Sequence, residues 1–307
     1  MAHASTHTFD VSYVITVYNK ADILPHVIAG LLAQKSQLKS EYIFVDDAST
    51  DDSLGVLQAY QEKVPNFRVI TNKTNKGPSI RINDGARAAK GYFLHLLDGD
   101  DILPPKTTET MHRLCVKHEA DFLYGQVKNF DAVCEKAFKE PVADDVSVDV
   151  FDAPLEGVLQ CSVRGVPIFV KRKLYARGGG ADERLFVQDQ SLPLRLARYA
   201  KRFIYMRTPV VYAPRCGYHL SGDLKRQHHD GFLAFYYAFY ANPAMKRKIF
   251  EKMVSVLWKA YRGSLRGMLC FGWFYVFVKI TKPRPIAFGF LKHCAKKKWP
   301  HMCLKIS

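Results

Sequence analysis

Strand-like apolar runs alternate with helical periodicity through the N-terminal third of the chain, and this alternation constrains the fold more than any other feature. The strand-like runs, rich in β-branched and aromatic residues, cover residues 11–18, 42–45, 67–71 and 93–97. Between them, segments that begin near Ile23, Leu54 and Ser79 repeat apolar side chains at helical spacing. Strand–helix–strand units connect through right-handed crossovers. The sequence therefore predicts an α/β fold with a mostly parallel sheet.

Acidic side chains follow two of these strands at the point where each strand ends. The acids are Asp46 and Asp47 after the second strand, and Asp98, Asp100 and Asp101 after the fourth. Gly99 allows a sharp turn, so that neighbouring carboxylates can converge at the carboxyl edge of the sheet, where such folds bind ligands. Converging carboxylates repel one another unless a cation lies between them, and oxygen ligands suit Mg²⁺ or Mn²⁺. The alternative is an acidic surface turn before Pro104, the commoner meaning of an isolated Asp-x-Asp.

Composition sets the class of protein and its expected compartment. With 307 residues, 48% of them apolar, the chain can bury a sizeable core in one large domain or two smaller ones. Seven cysteines lack paired or metal-type spacing, which predicts reduced thiols in a cytosolic protein. The first ten residues show no secretory signal, and no apolar run approaches the ~20 residues that span a bilayer. No glycine fingerprint for a dinucleotide follows the first strand.

The C-terminal part of the chain carries most of the charge. Residues 244–307 hold 15 Lys and Arg against one acid, Glu251, within a total net charge of +16. Helices are predicted around residues 232–240 and 249–269, and residues 268–278 form an aromatic and apolar run too short to span a membrane. This pattern predicts docking on an anionic membrane surface. Two alternatives remain, a helical cap packed on the rest of the protein and, less favoured because no module is visible, nucleic-acid binding.

Five motifs resemble those of family 2 glycosyltransferases in order and in spacing. They lie at residues 14–19, 45–51, 75–83, 97–101 and 179–197. The resemblance covers about residues 10–225 and implies a GT-A fold, a nucleotide-diphosphate sugar as donor, and inversion of the anomeric centre. In the last motif the chain has Gln188-Asp189 where the family has Glu-Asp. The second acid, which the resemblance implies is catalytic, is retained.

The resemblance also implies roles for individual residues. Donor-binding positions would be Thr16, Tyr18, Asn19, Asp47, Gly77, Arg81 and Asp98, with Thr16 and Asp47 at the nucleobase, Arg81 at the diphosphate and Asp98 at the ribose. Metal ligands would be Asp100, Asp101 and His219, with Asp101 either a ligand or a support. Read without the resemblance, Asp47 could serve turn chemistry, Arg81 could be a solvated helix residue, and His219 could be an ordinary histidine. Residues 178–180 would lie near the acceptor pocket or form a simple loop.

These observations predict an inverting, metal-dependent glycosyltransferase in which Asp189 accepts the proton of an acceptor hydroxyl. The expected organisation is a GT-A domain at residues 1–225 and a helical, basic, membrane-associating region at 226–307. The expected donor is a UDP-sugar, and the expected acceptor is a lipid-linked, lipopolysaccharide or capsule glycan at the cytoplasmic face of the membrane. The acidic segment 125–160 would shape the acceptor side. Two alternatives are a catalytically silent sugar-binding module and a polymerising synthase, although a Gln-x-x-Arg-Trp motif is absent.

Overall fold

An eight-stranded sheet organises the computed structural model, which describes residues 7–34, 36–130, 140–214 and 224–261. The strands are β1 (Phe9–Val17), β2 (Ser40–Asp46), β3 (Phe67–Ile70), β4 (Gly91–Asp98), β5 (Phe122–Phe130), β6 (Val148–Phe151), β7 (Ile168–Lys171) and β8 (Phe203–Pro214). The helices are α1 (Leu24–Leu32), α2 (Ser53–Gln61), α3 (Pro78–Ala88), α4 (Thr107–Lys117), α5 (Pro154–Gln160), α6 (Arg172–Arg177), α7 (Ser191–Tyr199), α8 (Leu224–Ala241) and α9 (Lys246–Tyr261), with a 3₁₀ turn at Pro243–Met245.

The strand order is β3-β2-β1-β4-β7-β5-β8-β6. β1 pairs in parallel with β2 and β4, β2 with β3, and β5 with β8, while β7 is antiparallel to both of its neighbours and β6 is antiparallel to β8. This confirms the predicted α/β class and its mostly parallel sheet. The chain runs outward in opposite directions from β1 and β4, so a crevice opens between their carboxyl ends. Thr16 lies opposite Asp98 in this register, at that crevice.

Apolar side chains cover both faces of the sheet, as expected where helices pack on each side. One cluster includes Val14 and Leu94, and the other includes Ile15 and Phe93, so consecutive residues of β1 serve opposite faces. Helix α3 lies close to β1, because a Cβ atom at Gly85 would come within 2.4 Å of the Val14 side chain. The strands that carry the acids are therefore held rigidly from both sides.

Helices α8 and α9 pack into the same apolar cluster as the sheet. Phe232 of α8 and Phe250 of α9 are fully buried and belong to the same cluster as core residues of β1 and β4. Residues 224–261 thus match the packed helical cap, and the predicted boundary at residue 225 falls at the start of α8. The apolar run at 268–278 lies outside the described residues. Within the described ranges, no helix combines the length and apolar character needed to cross a membrane.

Candidate active site

A cavity of about 610 Å³ opens at the carboxyl ends of β1 and β4. It collects most of the residues that the sequence predicted for the site. Those that line it are Thr16, Tyr18, Asp47, Arg81, Asp98, Asp100, Asp101 and Asp189. Asn19 and Gly77 are not among the lining residues, and His219 lies outside the described residues. The carboxyl edge of the sheet therefore gathers side chains from distant parts of the chain at one place.

The turn after β4 separates the roles of its acids. A Cβ atom at Gly99 would come within 2.9 Å of the Thr16 carbonyl oxygen, so the turn fits tightly against β1. The Asp101 carboxylate is buried and accepts the backbone N–H of Asp98 at 2.8 Å, which places Asp101 as a support of the turn. The Thr16 hydroxyl donates to Asp98 at 3.2 Å. Asp98 and Asp100 are the partly exposed acids of this turn.

The carboxylates of the acidic turn lie close enough together to raise one another's pKa. Burial, together with the neighbouring carboxylates of Asp100 and Asp189, raises the pKa of Asp98 above its usual range. Burial and the charges of Asp98 and Asp100 likewise raise the pKa of Asp101. The Lys20 ammonium lies 2.6 Å from an Asp100 oxygen. This excess of carboxylates favours binding of a further cation.

The residues present fit a divalent ion that shares its coordination with a ligand. In the described part of the chain, no three His, Cys, Asp or Glu side chains are arranged to enclose a metal ion by themselves. Mg²⁺ usually binds through one or two carboxylates plus the phosphates of a substrate. Asp98 and Asp100 supply such a pair at the rim of a cavity large enough for a nucleotide. A metal site completed by phosphate oxygens is consistent with this geometry.

Asp47 and Arg81 form a buried ion pair that fixes the loop before α3. The Asp47 carboxylate accepts the backbone N–H groups of Lys76 and Gly77 at 2.9 and 2.7 Å. The Arg81 Nε donates to Asp47 at 2.6 Å, and its other nitrogens donate to neighbouring oxygens. Those acceptors are Asn72 Oδ1, Asp84 Oδ2 and the Thr74 carbonyl. Arg81 is thus mainly a positioning residue for Asp47, although it still lines the cavity.

Asn19 and Gly77 shape loops at the edge of the cavity. Asn19 has a positive φ of 53°, and its side-chain oxygen accepts the backbone N–H of Thr50 at 2.8 Å. This contact joins the loop after β1 to the loop after β2. Gly77 has a φ of 89°, and a Cβ atom there would overlap the Phe186 ring at 2.5 Å. Asn19 therefore holds the cavity wall through its side chain, and Gly77 does so through its backbone conformation.

Asp189 lines the cavity and belongs to the loop that precedes α7. Its backbone carbonyl accepts the N–H of Gly165 at 2.7 Å, which joins this loop to the segment before β7. Burial raises the pKa of Asp189 to about 6, while the positive charge of Arg164 opposes the rise and Asp230 adds to it. A carboxylate with a pKa near 6 is a suitable proton acceptor at neutral pH.

Three residues of the site were missed by the sequence reasoning. Lys20 contacts Asp100, Arg164 lines the cavity beside Asp189, and the buried Asp230 of α8 accepts the backbone N–H of Val187 at 2.9 Å. Lys20 could have been found, because it directly follows the first strand and its loop must face the acids of the fourth. Arg164 and Asp230 lie in segments without a motif, and only the folded chain brings them to the site.

The family comparison agrees with this geometry. Residues 12–141 match the family described as Glycosyl transferase family 2. The chain carries a family 2 glycosyltransferase domain. This confirms the family that the motifs predicted, and the sheet with its acid-ended strands is the GT-A fold of that glycosyltransferase family.

Relatives of this glycosyltransferase include bacterial glycan-synthesising proteins. The poly(ribitol-phosphate) beta-glucosyltransferase of Bacillus spizizenii is 32% identical over 149 residues, which are 47% of this chain and 23% of that protein. The chain therefore spans less than a quarter of that relative. The succinoglycan biosynthesis protein ExoO of Rhizobium meliloti is 27% identical over 305 residues, which are 92% of this chain and 80% of ExoO.

Among solved structures, S. aureus TarS 1-349 in complex with UDP-GlcNAc has the same fold. It superposes with a TM-score of 0.65 at 20% sequence identity, over 84% of this chain and 74% of TarS 1-349. At this level of identity the similarity concerns the fold of the glycosyltransferase.

Proposed function

We propose that this glycosyltransferase moves a sugar from a nucleotide-diphosphate sugar, with UDP as the nucleotide, to a hydroxyl of a glycan acceptor by single displacement with inversion. One observation carries the proposal: Asp189 and the strand-end acids Asp98 and Asp100 line the same cavity. A base and a diphosphate-binding edge then flank one space in which an anomeric carbon can lie. Only one protein carboxylate has to move a proton in this reaction, unlike glycoside hydrolysis.

On the donor side, the loop that Asp47 and Arg81 hold forms the wall for the nucleotide. Asp47 can accept an imide N–H of a uracil base while it continues to hold the Gly77 N–H. Thr16 and Asp98, already hydrogen-bonded to each other, face the same space and are placed for the ribose and its neighbourhood. The UDP-GlcNAc complex of the structurally similar TarS supports the choice of a UDP-sugar.

Asp100, with Asp98 beside it, would hold a divalent metal ion. When bound, the ion would neutralise charge on the departing diphosphate and so serve where a general acid would otherwise be needed. Lys20 adds a positive charge on the same edge of the cavity. Asp101 keeps the turn in place by accepting the Asp98 N–H.

On the acceptor side, Asp189 accepts the proton as the hydroxyl oxygen attacks the anomeric carbon. Its pKa of about 6 leaves it ionised at neutral pH and still basic enough to take that proton. We infer that the acceptor is a cell-envelope glycan presented at the cytoplasmic face of the membrane. The glycan-synthesising relatives and the basic residues after position 261 support this part of the proposal.

The experiment is the nearly isosteric change Asp189→Asn, assayed with a UDP-sugar and Mn²⁺. UDP binding should persist while turnover falls about 100-fold or more, because the proton acceptor is lost. The melting temperature at pH 8 should not fall: the pKa of Asp189 is raised in the fold, so its ionisation costs folded-state stability that the amide does not. Asp152→Asn, at a 78% exposed side chain, is the matched control and should retain activity. If Asp189→Asn loses UDP binding with unchanged turnover, Asp189 binds the nucleotide instead. If the wild type binds the donor without ever transferring or hydrolysing it, the protein is a silent binding module.

A further inference from the structure

A second cavity, of about 450 Å³, lies between the loop at residues 178–182 and helices α7 and α8. In the described part of the chain, it shares no lining residue with the catalytic cavity. We call it the arginine groove. Its characteristic lining residues are Arg184, Arg195, Arg198, Tyr199, Tyr237 and Tyr240. Arg184 and Arg195 fall within the motif at residues 179–197, but the proposed catalytic steps use none of the three arginines.

Two guanidinium groups of the arginine groove are held in fixed positions by one buried carboxylate. Arg184 donates from Nε and Nη2 to the two oxygens of Asp182 at 2.8 and 2.6 Å. Arg195 lies 3.6 Å from Asp182, and it also donates to the carbonyl oxygens of Gly179 and Gly180 at 3.0 and 2.8 Å. The Asp182 side chain is 7% exposed. Such contacts pre-organise both guanidinium groups before any ligand arrives.

Aromatic rings lie directly beside these cations. The guanidinium carbon of Arg184 is 3.9 Å from the centre of the Tyr237 ring, and that of Arg198 is 5.3 Å from the centre of the Tyr199 ring. Tyr240 is 55% exposed at the same groove. Three guanidinium groups face one carboxylate there, so the groove keeps a net positive charge. Guanidinium forks recognise phosphate, and exposed aromatic faces pack against apolar faces of ligands.

The arginine groove and the catalytic cavity are joined by α8. Gln227, near the start of that helix, lines the catalytic cavity, and Tyr237 lines the groove. Ten residues of α-helix rise about 15 Å, so one extended chain molecule can contact both sites. A ligand in the groove therefore need not compete with the donor sugar.

We propose that the arginine groove binds a phosphate-bearing segment of the acceptor glycan, away from the hydroxyl that receives the sugar. This inference rests on the proposed glycosyltransferase function and specifies its acceptor as an anionic glycan. The groove would increase the residence of a long acceptor at the active site without touching the reacting atoms. A neutral glycan would gain only the contacts with the tyrosine rings.

The test measures binding of fluorescently labelled poly(ribitol phosphate), and of neutral dextran of the same length, to the full-length protein by anisotropy at 150 mM salt. The variants are Arg184→Gln with Arg198→Gln, and the matched control is Arg207→Gln. The Arg184 and Arg207 side chains are 60% and 59% exposed, and each is paired with an aspartate, Asp182 or Asp149. The groove variant should lose about tenfold in affinity for the anionic polymer, because charge-assisted contacts to phosphate are among the stronger ones. The control should bind like the wild type.

Asp189→Asn separates this inference from the function on which it rests. That variant should lose transfer and keep polymer binding, whereas the groove variant should keep hydrolysis of the UDP-sugar and lose polymer binding. If the groove variant and Arg207→Gln lose the same affinity for the polymer, the loss reflects only the overall positive charge of the protein, and the proposal is overturned. Equal affinity for dextran, or displacement of the polymer from the groove by vesicles of anionic lipid, would overturn it as well.

Discussion

At the scale of single residues, the proposed role of Asp189 as the base predicts how activity depends on pH. A base must be ionised to accept a proton, and burial raises the pKa of Asp189 to about 6. We expect kcat/KM to be constant above that value and to fall as the pH drops through about 6, where an ordinary aspartate would still be ionised. A pH–rate profile of the wild type measures this, and an acid limb at pH 4 would contradict it.

The neighbouring Arg164 provides a test that is specific for Asp189. Its positive charge lowers the pKa of that carboxylate, so Arg164→Gln should move the acid limb to higher pH. Since Arg164 is exposed, salt should reduce the difference between variant and wild type. The control Arg207→Gln removes an equal positive charge, from β8, and should leave the acid limb at the same pH. Identical profiles for wild type and Arg164→Gln would show that another group controls the limb.

The contact between Lys20 and Asp100 predicts the direction in which a Lys20 substitution changes the affinity for the metal ion. Lys20 occupies one Asp100 oxygen and repels a second cation, so Lys20→Met should increase the affinity for Mn²⁺ measured by electron paramagnetic resonance. Asp100→Asn should weaken Mn²⁺ binding and UDP binding that depends on it, and should abolish transfer. If Asp100→Asn binds Mn²⁺ as tightly as the wild type, Asp100 is not a ligand. Full activity of the wild type in excess chelator would exclude a metal requirement.

At the scale of elements, α8 supports the loop that carries Asp189. The Asp230 carboxylate, buried on α8, accepts the backbone N–H of Val187, two residues before Asp189. Its second oxygen contacts His229 Nδ1 at 2.9 Å. The sequence analysis placed this helix in a separate C-terminal region. In the structure, the helix supports the loop that carries Asp189. Helix α3 supports the other side, because the Ser79 hydroxyl donates to the Phe186 carbonyl at 3.0 Å.

Replacing Asp230 should affect turnover more than donor binding. Asp230→Ala leaves the Val187 N–H unsatisfied, which costs about 1–3 kcal/mol of folding free energy and loosens the loop. We expect lower kcat with little change in the UDP dissociation constant. Asp230→Asn retains an acceptor oxygen and should restore most of kcat. Both variants remove the charge that raises the pKa of Asp189, so both should move the acid limb to lower pH. An asparagine variant as defective as the alanine one would refute the hydrogen-bond role.

At the scale of the whole molecule, the described beginning of the basic C-terminal part is a helix that packs on the core. Residues 246–261 form α9, whose buried face includes Ile249, Phe250, Val254 and Leu257. Burial of each large apolar side chain contributes about 1.5–3 kcal/mol, so α9 stabilises the catalytic body. This buried face is therefore not available for the predicted membrane contact.

Truncation at two positions tests the predicted membrane contact and the packing of α9 separately. Ending the chain after Tyr261 should preserve folding and donor hydrolysis, but should weaken binding to anionic vesicles, which in the full-length protein decreases with salt without vanishing. Ending it after residue 245 removes α9 and should expose core side chains and lower the melting temperature markedly. Vesicle sedimentation and thermal unfolding measure the two effects. Full-length protein that ignores anionic vesicles at low salt would contradict the membrane proposal.

The sequence by itself determined the class of fold, the family and the edge of the sheet where the site lies. Period-two and helical apolar patterns are local, and they report which residues face a core whatever the rest of the chain does. Strand-end acids such as Asp98 and Asp100 then fall at one edge, because parallel strands share their carboxyl ends. The proposal of Asp189 as the base rests on the resemblance of its motif to that of the family.

The tertiary structure decided which groups each acid and each cation contacts, because those contacts join residues far apart in the chain. In the folded chain, the Asp101 carboxylate accepts the Asp98 N–H, and Arg81 donates to Asp47. The fold also brought Asp230 of α8 to the loop before Asp189, across 43 residues of sequence. Hydrogen bonds act over about 3 Å, and no periodicity in the sequence encodes which distant groups come that close. The packing of α9 into the apolar cluster of the sheet was decided in the same way.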